Sequence, residues 1–177
     1  MKKSYPLSKV YGLLEAGPVV MVSTADKGRN NIMTMSWHTM IDFNPPLVGC
    51  VISDRNYTFD IIKKTRQCVI NIPTEEIAAK AVACGNCSGR KIDKFAACGL
   101  TPVKAAEVKA PLIKECYASL ECELADARLS GKYDLFIFKV VKAWVDTSKK
   151  NPRTIHHRGG EDFMIAGGTR KIRSGKA

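Results

Sequence analysis

The sequence predicts a single mainly β domain spanning residues 1–177, folded as a β-barrel with helices packed around it. Roughly six or seven segments have strand character, and about three helical segments lie between them. No strand is followed by a G-x-G-x-x-G turn, and no P-loop or H-E-x-x-H motif occurs. A doubly wound dinucleotide-binding sheet, a nucleotide hydrolase and a zinc protease therefore lack their local chemistry. The chain has 177 residues, 45% of them hydrophobic, which is enough for one core.

The amino-terminal segment, residues 1–16, predicts a short amphipathic helix. Its apolar residues recur at helical spacing on one face, namely Leu7, Val10, Tyr11 and Leu14. Gly17-Pro18 ends this pattern. The segment lacks the apolar core of a signal peptide, and no stretch reaches the ~20 apolar residues of a membrane span. We therefore expect a cytoplasmic protein with no membrane contact.

The first strands follow directly. PVVMVST (18–24) and NIMTMSW (31–37) predict a hairpin, in whose polar turn Gly28 can adopt a positive φ. PPLVGCVIS (45–53) predicts another strand, which is entered through a rigid Pro-Pro step. QCVINIP (67–73) predicts a fourth, because its apolar run is bounded by proline.

Three segments predict helices. YTFDIIKK (57–64) has helical spacing. TEEIAAKAVAC (74–84) is rich in alanine, with Thr74 as the expected N-cap and two glutamates in the first turn. KIDKFAACGL (91–100) predicts a shorter helical turn that Gly99 closes.

The last large unit predicts a long hairpin. YASLECELADARL (117–129) alternates in polarity and YDLFIFKVVKAWV (133–145) is rich in β-formers, with Ser130-Gly131 as the turn. The remaining basic segment, 147–177, is rich in glycine and contains the strand-like DFMIAG (162–167).

The chain is strongly basic, with 28 Lys and Arg against 17 Asp and Glu, a formal charge of +11 and a pI near 9.4. This charge favours nucleic acid, an acidic protein or a phosphorylated ligand. Nucleic acid is the least favoured of the three, because the basic residues are scattered and only 7% of residues are aromatic.

The seven cysteines are an odd number spread through apolar segments, which predicts reduced thiols without a disulfide framework. Cys84 and Cys87 form a C-x-x-C pair, a motif that occurs in metal sites and in redox-active dithiols. No second pair of cysteines or histidines stands at the spacing of a zinc site. Cys84 and Cys87 also lie at the end of a predicted helix, whereas a redox-active dithiol lies at the start of one. We therefore predict no metal site.

The strand NIMTMSW carries polar side chains where a plain core would carry Val and Leu. Thr34 and Ser36 alternate on one side, where hydroxyls can bond a polar ligand. Trp37 is either a core aromatic or a platform for a ligand ring. The loop 53–56 is either a polar turn or, as we favour, an anion site at the start of the 57–64 helix, where Arg55 adds charge.

Four motifs in this order resemble the flavin reductase-like, FMN-binding split-barrel family, with a flavoredoxin-like appearance. They are N-x-M-T-x-S-W (31–37), P-P-L-V (45–48), a helical T-x-x-x-I-x-x (58–64) and S-G-x-x-x-D-K-F (88–95). The resemblance implies a six-stranded Greek-key split barrel, a homodimer, and flavin mononucleotide (FMN) bound non-covalently near the subunit interface.

The resemblance, together with the chemistry of the side chains, assigns twelve residues to the flavin. In chain order they are Met33, Thr34, Met35, Ser36, Trp37, Ser53, Arg55, Asn56, Thr58, Ser88, Gly89 and Lys94. For the 88–94 segment, a basic surface turn capped by Asp93 is the alternative. We expect no catalytic acid or nucleophile, because the flavin carries the chemistry.

The expected function is an FMN-dependent oxidoreductase. The donor is either NAD(P)H, which delivers hydride, or a low-potential protein such as a ferredoxin, which the positive surface favours. The alternative is a non-catalytic FMN-binding barrel or a basic nucleic-acid-binding barrel.

Overall fold

The structure, a computed structural model, describes residues 17–170. The predicted N-terminal helix and residues 171–177 lie outside the described residues. One large antiparallel sheet dominates the fold. Its seven strands are β1 (Val20–Asp26), β2 (Arg29–Met35), β3 (His38–Phe43), β4 (Pro46–Val51), β5 (Gln67–Ile72), β8 (Ala118–Asp126) and β9 (Leu135–Val145).

The remaining elements are short. Two small two-stranded sheets pair β6 (Pro102–Val103) with β7 (Leu112–Ile113), and β10 (Ile155–His157) with β11 (Phe163–Ile165). The helices are α1 (Tyr57–Thr65), a 3₁₀ turn (Glu75–Ile77) that leads into α2 (Ala78–Gly85), α3 (Lys94–Ala97) and α4 (Ser130–Tyr133). No helix within residues 17–170 is long and apolar enough to span a membrane.

The strand order is β2-β1-β5-β8-β9-β4-β3, so the two outer strands are β2 and β3. Side chains from both halves of the sheet nevertheless pack in one core: Val22 of β1 and Met33 of β2 share it with Val48 of β4 and Phe136 of β9. Strands far apart in the order can meet this way only if the sheet curls strongly. The interior of this curled sheet is therefore the main core.

Helix α1 closes one end of that core. Its apolar residues lie on one side, and the Phe59 ring meets the Phe136 ring edge-on, with centroids 5.1 Å apart. Helix α2 packs outside the sheet, where Ala81 and Cys84 join a second buried cluster with Met21 and Ile32. The sheet is thus apolar on both faces where helices cover it.

Most predicted elements are confirmed. The hairpin of β1 and β2 turns at Lys27-Gly28, both with positive φ, and Asp93 caps α3 by accepting from the backbone N–H groups of Phe95 and Ala96. Thr74 precedes the 3₁₀ turn as expected, although its side chain makes no capping bond there. The Ser130-Gly131 turn belongs to the one-turn helix α4.

The strand count differs from that of the implied six-stranded Greek-key split barrel. The main sheet has seven strands, and within residues 17–170 no backbone pairing joins β2 to β3. The additional strand is β3, which the sequence analysis missed, and it pairs with β4 from Phe43 back to His38. Five of its six residues are exposed, so it lacks the alternating burial that marks a strand in sequence.

Candidate functional site

A groove with a volume of about 1100 Å³ lies beside the carboxyl end of β2. It is lined by residues from six parts of the chain that the fold brings together. These are Val19, Met33, Thr34, Met35, Ser36, Trp37, Val51, Ser53, Arg55, Asn56, Val82, Gly85, Asn86, Asp134, His157, Gly160, Glu161 and Phe163. The volume suits an organic ligand of cofactor size, since small-molecule sites measure ~300–1,000 Å³.

The strand β2 and the two residues after it form one wall. Met33 and Met35 face the barrel core, and Thr34 points the other way, toward α2, where its hydroxyl donates to the Ala81 carbonyl at 2.6 Å. This bond uses the Thr34 proton, so its oxygen can act toward a ligand only as an acceptor. Trp37 follows with 53% of its surface exposed, so it is not the core aromatic that the sequence left open. It offers a partly bare ring at the groove.

The loop before α1 forms the second wall. Ser53 and Asn56 hold the turn through a backbone bond of 2.9 Å, and Arg55 is exposed beside the groove. Asn56 occupies the N-cap of α1 but makes no side-chain capping bond. The helix therefore presents backbone N–H groups and its positive dipole end at this wall, with the Arg55 guanidinium beside them. An anionic group would be stabilised there.

A hairpin from the end of the chain forms the third wall. We call residues 153–166 the arm. Its base is fixed: Ile155 is fully buried and accepts a backbone bond from Val19, and Arg153 pairs with Glu75 at 3.0 Å. Its tip brings His157 and Phe163 to the groove with their rings 5.1 Å apart.

Polar groups on the arm and on Asp134, the residue before β9, complete the lining of the groove. His157 Nε2 lies 3.1 Å from the Gly160 carbonyl, so that nitrogen carries the proton. Glu161 adds an exposed carboxylate, and Asp134, which is half-buried at a left-handed φ of 57°, adds another carboxylate. The groove thus combines a largely apolar surface with a cationic end and two carboxylates.

Eight of the twelve predicted flavin residues line this groove: Met33, Thr34, Met35, Ser36, Trp37, Ser53, Arg55 and Asn56. The structure brings these together from two separate segments, 33–37 and 53–56. Their contacts with a flavin stay a prediction.

The other four predicted residues do not line the groove. Thr58 is buried and its hydroxyl accepts from Asn31 Nδ2 at 2.9 Å. Gly89 is buried beside Asn31, and Ser88 is exposed. Lys94 is buried and donates to the Cys84 carbonyl at 2.7 Å, at the end of α2. Thr58 thus lies in the first turn of α1, Gly89 lies against Asn31 of β2, and Lys94 is bound to the end of α2.

Sequence reasoning missed the groove residues that come from distant segments. They are Val19, Val51, Val82, Gly85, Asn86, Asp134, His157, Gly160, Glu161 and Phe163. Only the strand-like DFMIAG drew attention to the arm beforehand, and it does not indicate which other segment the arm contacts.

The C-x-x-C pair consists of a buried thiol, Cys84, and a half-buried thiol, Cys87. Burial raises the pKa of the Cys84 thiol, and the adjoining Cys98 thiol raises it further. Cys87 directs its sulfur to the Cys84 carbonyl at 3.8 Å. All seven cysteines are free, and no three His, Cys, Asp or Glu side chains within residues 17–170 are grouped as metal ligands.

The groove fits a flavin mononucleotide by the chemistry of its donors. A phosphate monoester requires cationic and N–H donors, which the α1 terminus and Arg55 supply at one end. A planar tricyclic ring requires apolar and aromatic surface, which Trp37 and Phe163 supply in the groove.

A curled antiparallel sheet with a cofactor-sized groove that is cationic at one end is typical of barrels that bind small molecules. The chain belongs to the flavin reductase-like family: residues 13–162 match its model, described as flavin reductase like domain. The resemblance seen in the sequence is confirmed.

Relatives and solved structures agree with this assignment. An uncharacterized protein of Archaeoglobus fulgidus is 35% identical over 111 residues, 63% of each chain. The uncharacterized protein YddH of Escherichia coli is 32% identical over 171 residues, which cover 88% of this chain and 89% of YddH.

Two solved structures share the whole fold. The FMN-binding domain of a flavin reductase-like enzyme from Shewanella baltica has a TM-score of 0.84 at 29% identity, with 97% of each chain covered. The flavoredoxin of Desulfovibrio vulgaris (Miyazaki F) has a TM-score of 0.88 at 26% identity, with 99% of each chain covered.

Proposed function

We propose that this protein is an FMN-binding oxidoreductase that passes electrons through a non-covalently bound flavin. The observation that carries the proposal is the pairing, in one groove, of an anion-binding end at Arg55 and α1 with an apolar wall at Trp37. Family membership and the FMN-binding protein from Shewanella baltica support it.

The flavin supplies the redox chemistry when it is bound. The protein's own residues bind, orient and shield. Arg55 and the N–H groups of α1 neutralise the phosphate, which fixes the direction in which the ligand lies. The Thr34 oxygen is restricted to accepting, so it can accept from an N–H or hydroxyl of the ligand. The arm, fixed at Ile155, contributes His157 and Phe163 to the groove lining, where their rings would contact the ligand.

We further propose a C2 homodimer with the site near the subunit interface. The strand β3 leaves the groove directly after Trp37 and carries exposed apolar side chains, of which Phe43 is 87% exposed. An edge strand with such a surface favours association with a second copy. A split barrel of Greek-key order, two copies of which bury their β3 strands, is the assembly we expect.

The proposed electron donor is either an acidic protein of the ferredoxin kind or NAD(P)H. The formal charge of +11 supports an acidic protein donor of the ferredoxin kind, through long-range attraction. The open groove supports NAD(P)H. Both donors would reduce the same flavin, and a cytoplasmic location would supply both.

The test is anaerobic reduction of the FMN-loaded protein, which is monitored through the loss of the flavin absorption band. NADH, NADPH and a reduced ferredoxin are each added to separate samples at low and high salt. We expect rapid bleaching by one donor, with strong salt dependence if that donor is the ferredoxin. A protein that binds FMN but is bleached by none of them would be a non-catalytic flavin carrier. A colourless protein with salt-sensitive binding to nucleic acid would overturn the proposal.

A further inference from the structure

Asn31 lies at a buried junction of three segments. It belongs to β2, two residues before the groove wall begins at Met33, and only 2% of its surface is exposed. Its Nδ2 donates to the Thr58 hydroxyl at 2.9 Å and lies 3.4 Å from the Thr24 hydroxyl. Thr58 stands in the first turn of α1, whose start forms the cationic end of the groove. Asn31 therefore ties the groove strand to the helix.

The other half of the Asn31 amide contacts the segment Ser88–Arg90. A Cβ placed on Gly89 would lie 1.8 Å from Asn31 Oδ1, so no other residue fits there without displacing the amide. Asn31 Oδ1 is also the one buried side-chain polar atom within residues 17–170 that lacks a hydrogen-bond partner. An unpaired buried carbonyl costs free energy, so its presence calls for a reason beyond packing.

Three further contacts hold the segment Ser88–Arg90 against the same two elements. Arg29 of β2 donates to the Gly89 carbonyl at 2.8 Å. Arg90 pairs with Asp60 of α1 at 2.6 Å, and its guanidinium lies over the Tyr57 ring, 4.9 Å from the centroid. The segment is therefore held to both β2 and α1, and Asn31 occupies the centre of this contact.

We propose that Asn31 is a positioning residue for the anionic end of the groove. By donating to Thr58 on one side and filling the space against Gly89 on the other, it sets the position of the first turn of α1. The N–H groups of α1 and the Arg55 guanidinium are thereby held where a phosphate monoester binds. This inference rests on the proposed function. It also gives Thr58 and Gly89 a role that does not require them to touch the flavin.

The experiment compares the dissociation constants of FMN and riboflavin, which differ only in the phosphate. In Asn31→Asp the side chain keeps its shape but loses the N–H that Thr58 accepts. We expect FMN affinity to fall about tenfold, and riboflavin affinity to change less than about twofold, because only the anionic end is displaced. A merely structural role would weaken both ligands alike. Since Asn31→Asp also introduces a carboxylate that would repel a phosphate, the uncharged variant Thr58→Ala decides between displacement of the anionic end and simple repulsion.

Two other variants keep the test decisive. Thr58→Ala removes the acceptor while Asn31 remains. It should therefore also lower the ratio of FMN affinity to riboflavin affinity, and it can be measured even if Asn31→Asp fails to fold. Asn71→Asp is the matched control: Asn71 is fully buried and hydrogen-bonded to the Met21 carbonyl and the Ser23 hydroxyl, away from the groove. Its ratio should equal that of the wild type.

The outcomes separate the two ideas. If wild-type protein binds FMN and riboflavin equally, the proposed anion site is wrong. If the wild type prefers FMN and both Asn31→Asp and Thr58→Ala keep that preference, the positioning role of Asn31 is wrong.

Discussion

Replacing Glu121 with glutamine should destabilise the fold through one buried carboxylate. Glu121 lies on β8 with no exposed surface. Its two oxygens accept from the backbone N–H groups of Ala106, Glu107 and Val108 at 3.0, 2.6 and 3.1 Å, and from Trp144 Nε1 at 2.7 Å. The carboxylate thus fixes the strap 104–110 across the outer face of the sheet, where Val108 packs near Val69.

The magnitude follows from those bonds. A hydrogen bond to a charged group contributes ~1.5–3 kcal/mol, and glutamine both removes the charge and turns an N–H donor toward backbone N–H donors. We expect Glu121→Gln to lower the free energy of unfolding by about 2–4 kcal/mol. For a domain of this size that corresponds to a fall in Tm of roughly 4–16 °C.

The pH dependence gives an independent check. Burial acts to raise the pKa of Glu121, but the bonds from Ala106, Trp144, Glu107 and Val108 outweigh it and hold that pKa below its usual value. A carboxylate with a lowered folded-state pKa stabilises the protein above its unfolded pKa of ~4.3 and loses this effect as the pH falls through the folded value. The difference between wild type and Glu121→Gln should therefore shrink in acid.

The assay is urea unfolding followed by circular dichroism at pH 7 and at several values below pH 4.5. Glu123→Gln, an exposed glutamate on the same strand, is the control and should change stability by less than about 0.5 kcal/mol. A loss below about 0.5 kcal/mol for Glu121→Gln at pH 7, or a loss that does not change with pH, would refute the reasoning.

Three further predictions concern the groove, the assembly and the thiols. Arg55→Ala should weaken FMN binding by about 10–100-fold and leave riboflavin binding unchanged, because one charge-assisted contact to phosphate is lost. Phe43→Asp should convert the proposed dimer to a monomer in light scattering, because it places a charge in the apolar β3 surface. Cys87→Ser should keep FMN content and Tm, whereas Cys84→Ser should lower Tm, because Cys84 is fully buried and a buried hydroxyl costs about 1–3 kcal/mol.

Each of these has an opposing result. Equal losses of FMN and riboflavin affinity in Arg55→Ala would show that Arg55 does not contact the phosphate. Leu129→Asp, which alters another exposed apolar residue, is the control for Phe43→Asp, and dissociation by both variants would remove β3 from the interface. Loss of electron transfer onward from reduced flavin in Cys87→Ser, with FMN still bound, would mean that the thiol relays electrons.

Local pattern was sufficient for elements with a clear apolar run or an apolar helical face. β1 and β2 are mostly buried apolar strands around a Gly28 turn, and α1 has one apolar side, so each is recognisable from its own residues. The strand β3 was missed because nearly all of it is exposed, and its pairing with β4 depends on partners rather than on its own pattern.

The same division applies to the candidate site. The segments 33–37 and 53–56 carry polar side chains at positions that a core would not explain, so both were found from sequence. His157 and Phe163 reach the groove because the arm is anchored at Ile155. Ile155 is buried in the second cluster, against residues such as Met21 and Ile32 that lie more than 100 positions earlier in the sequence. Long-range packing of this kind leaves no local signal. The same holds for Asn31, whose partners Thr58 and Gly89 are distant in sequence.

The most direct test of the account is an equilibrium titration of the flavin-free protein with FMN and, in parallel, with riboflavin, followed by flavin fluorescence. The account predicts one FMN bound per chain, at least about tenfold more tightly than riboflavin, because the α1 terminus and Arg55 contact only the phosphate. Equal affinity for the two ligands, or no saturable binding of FMN, would contradict it.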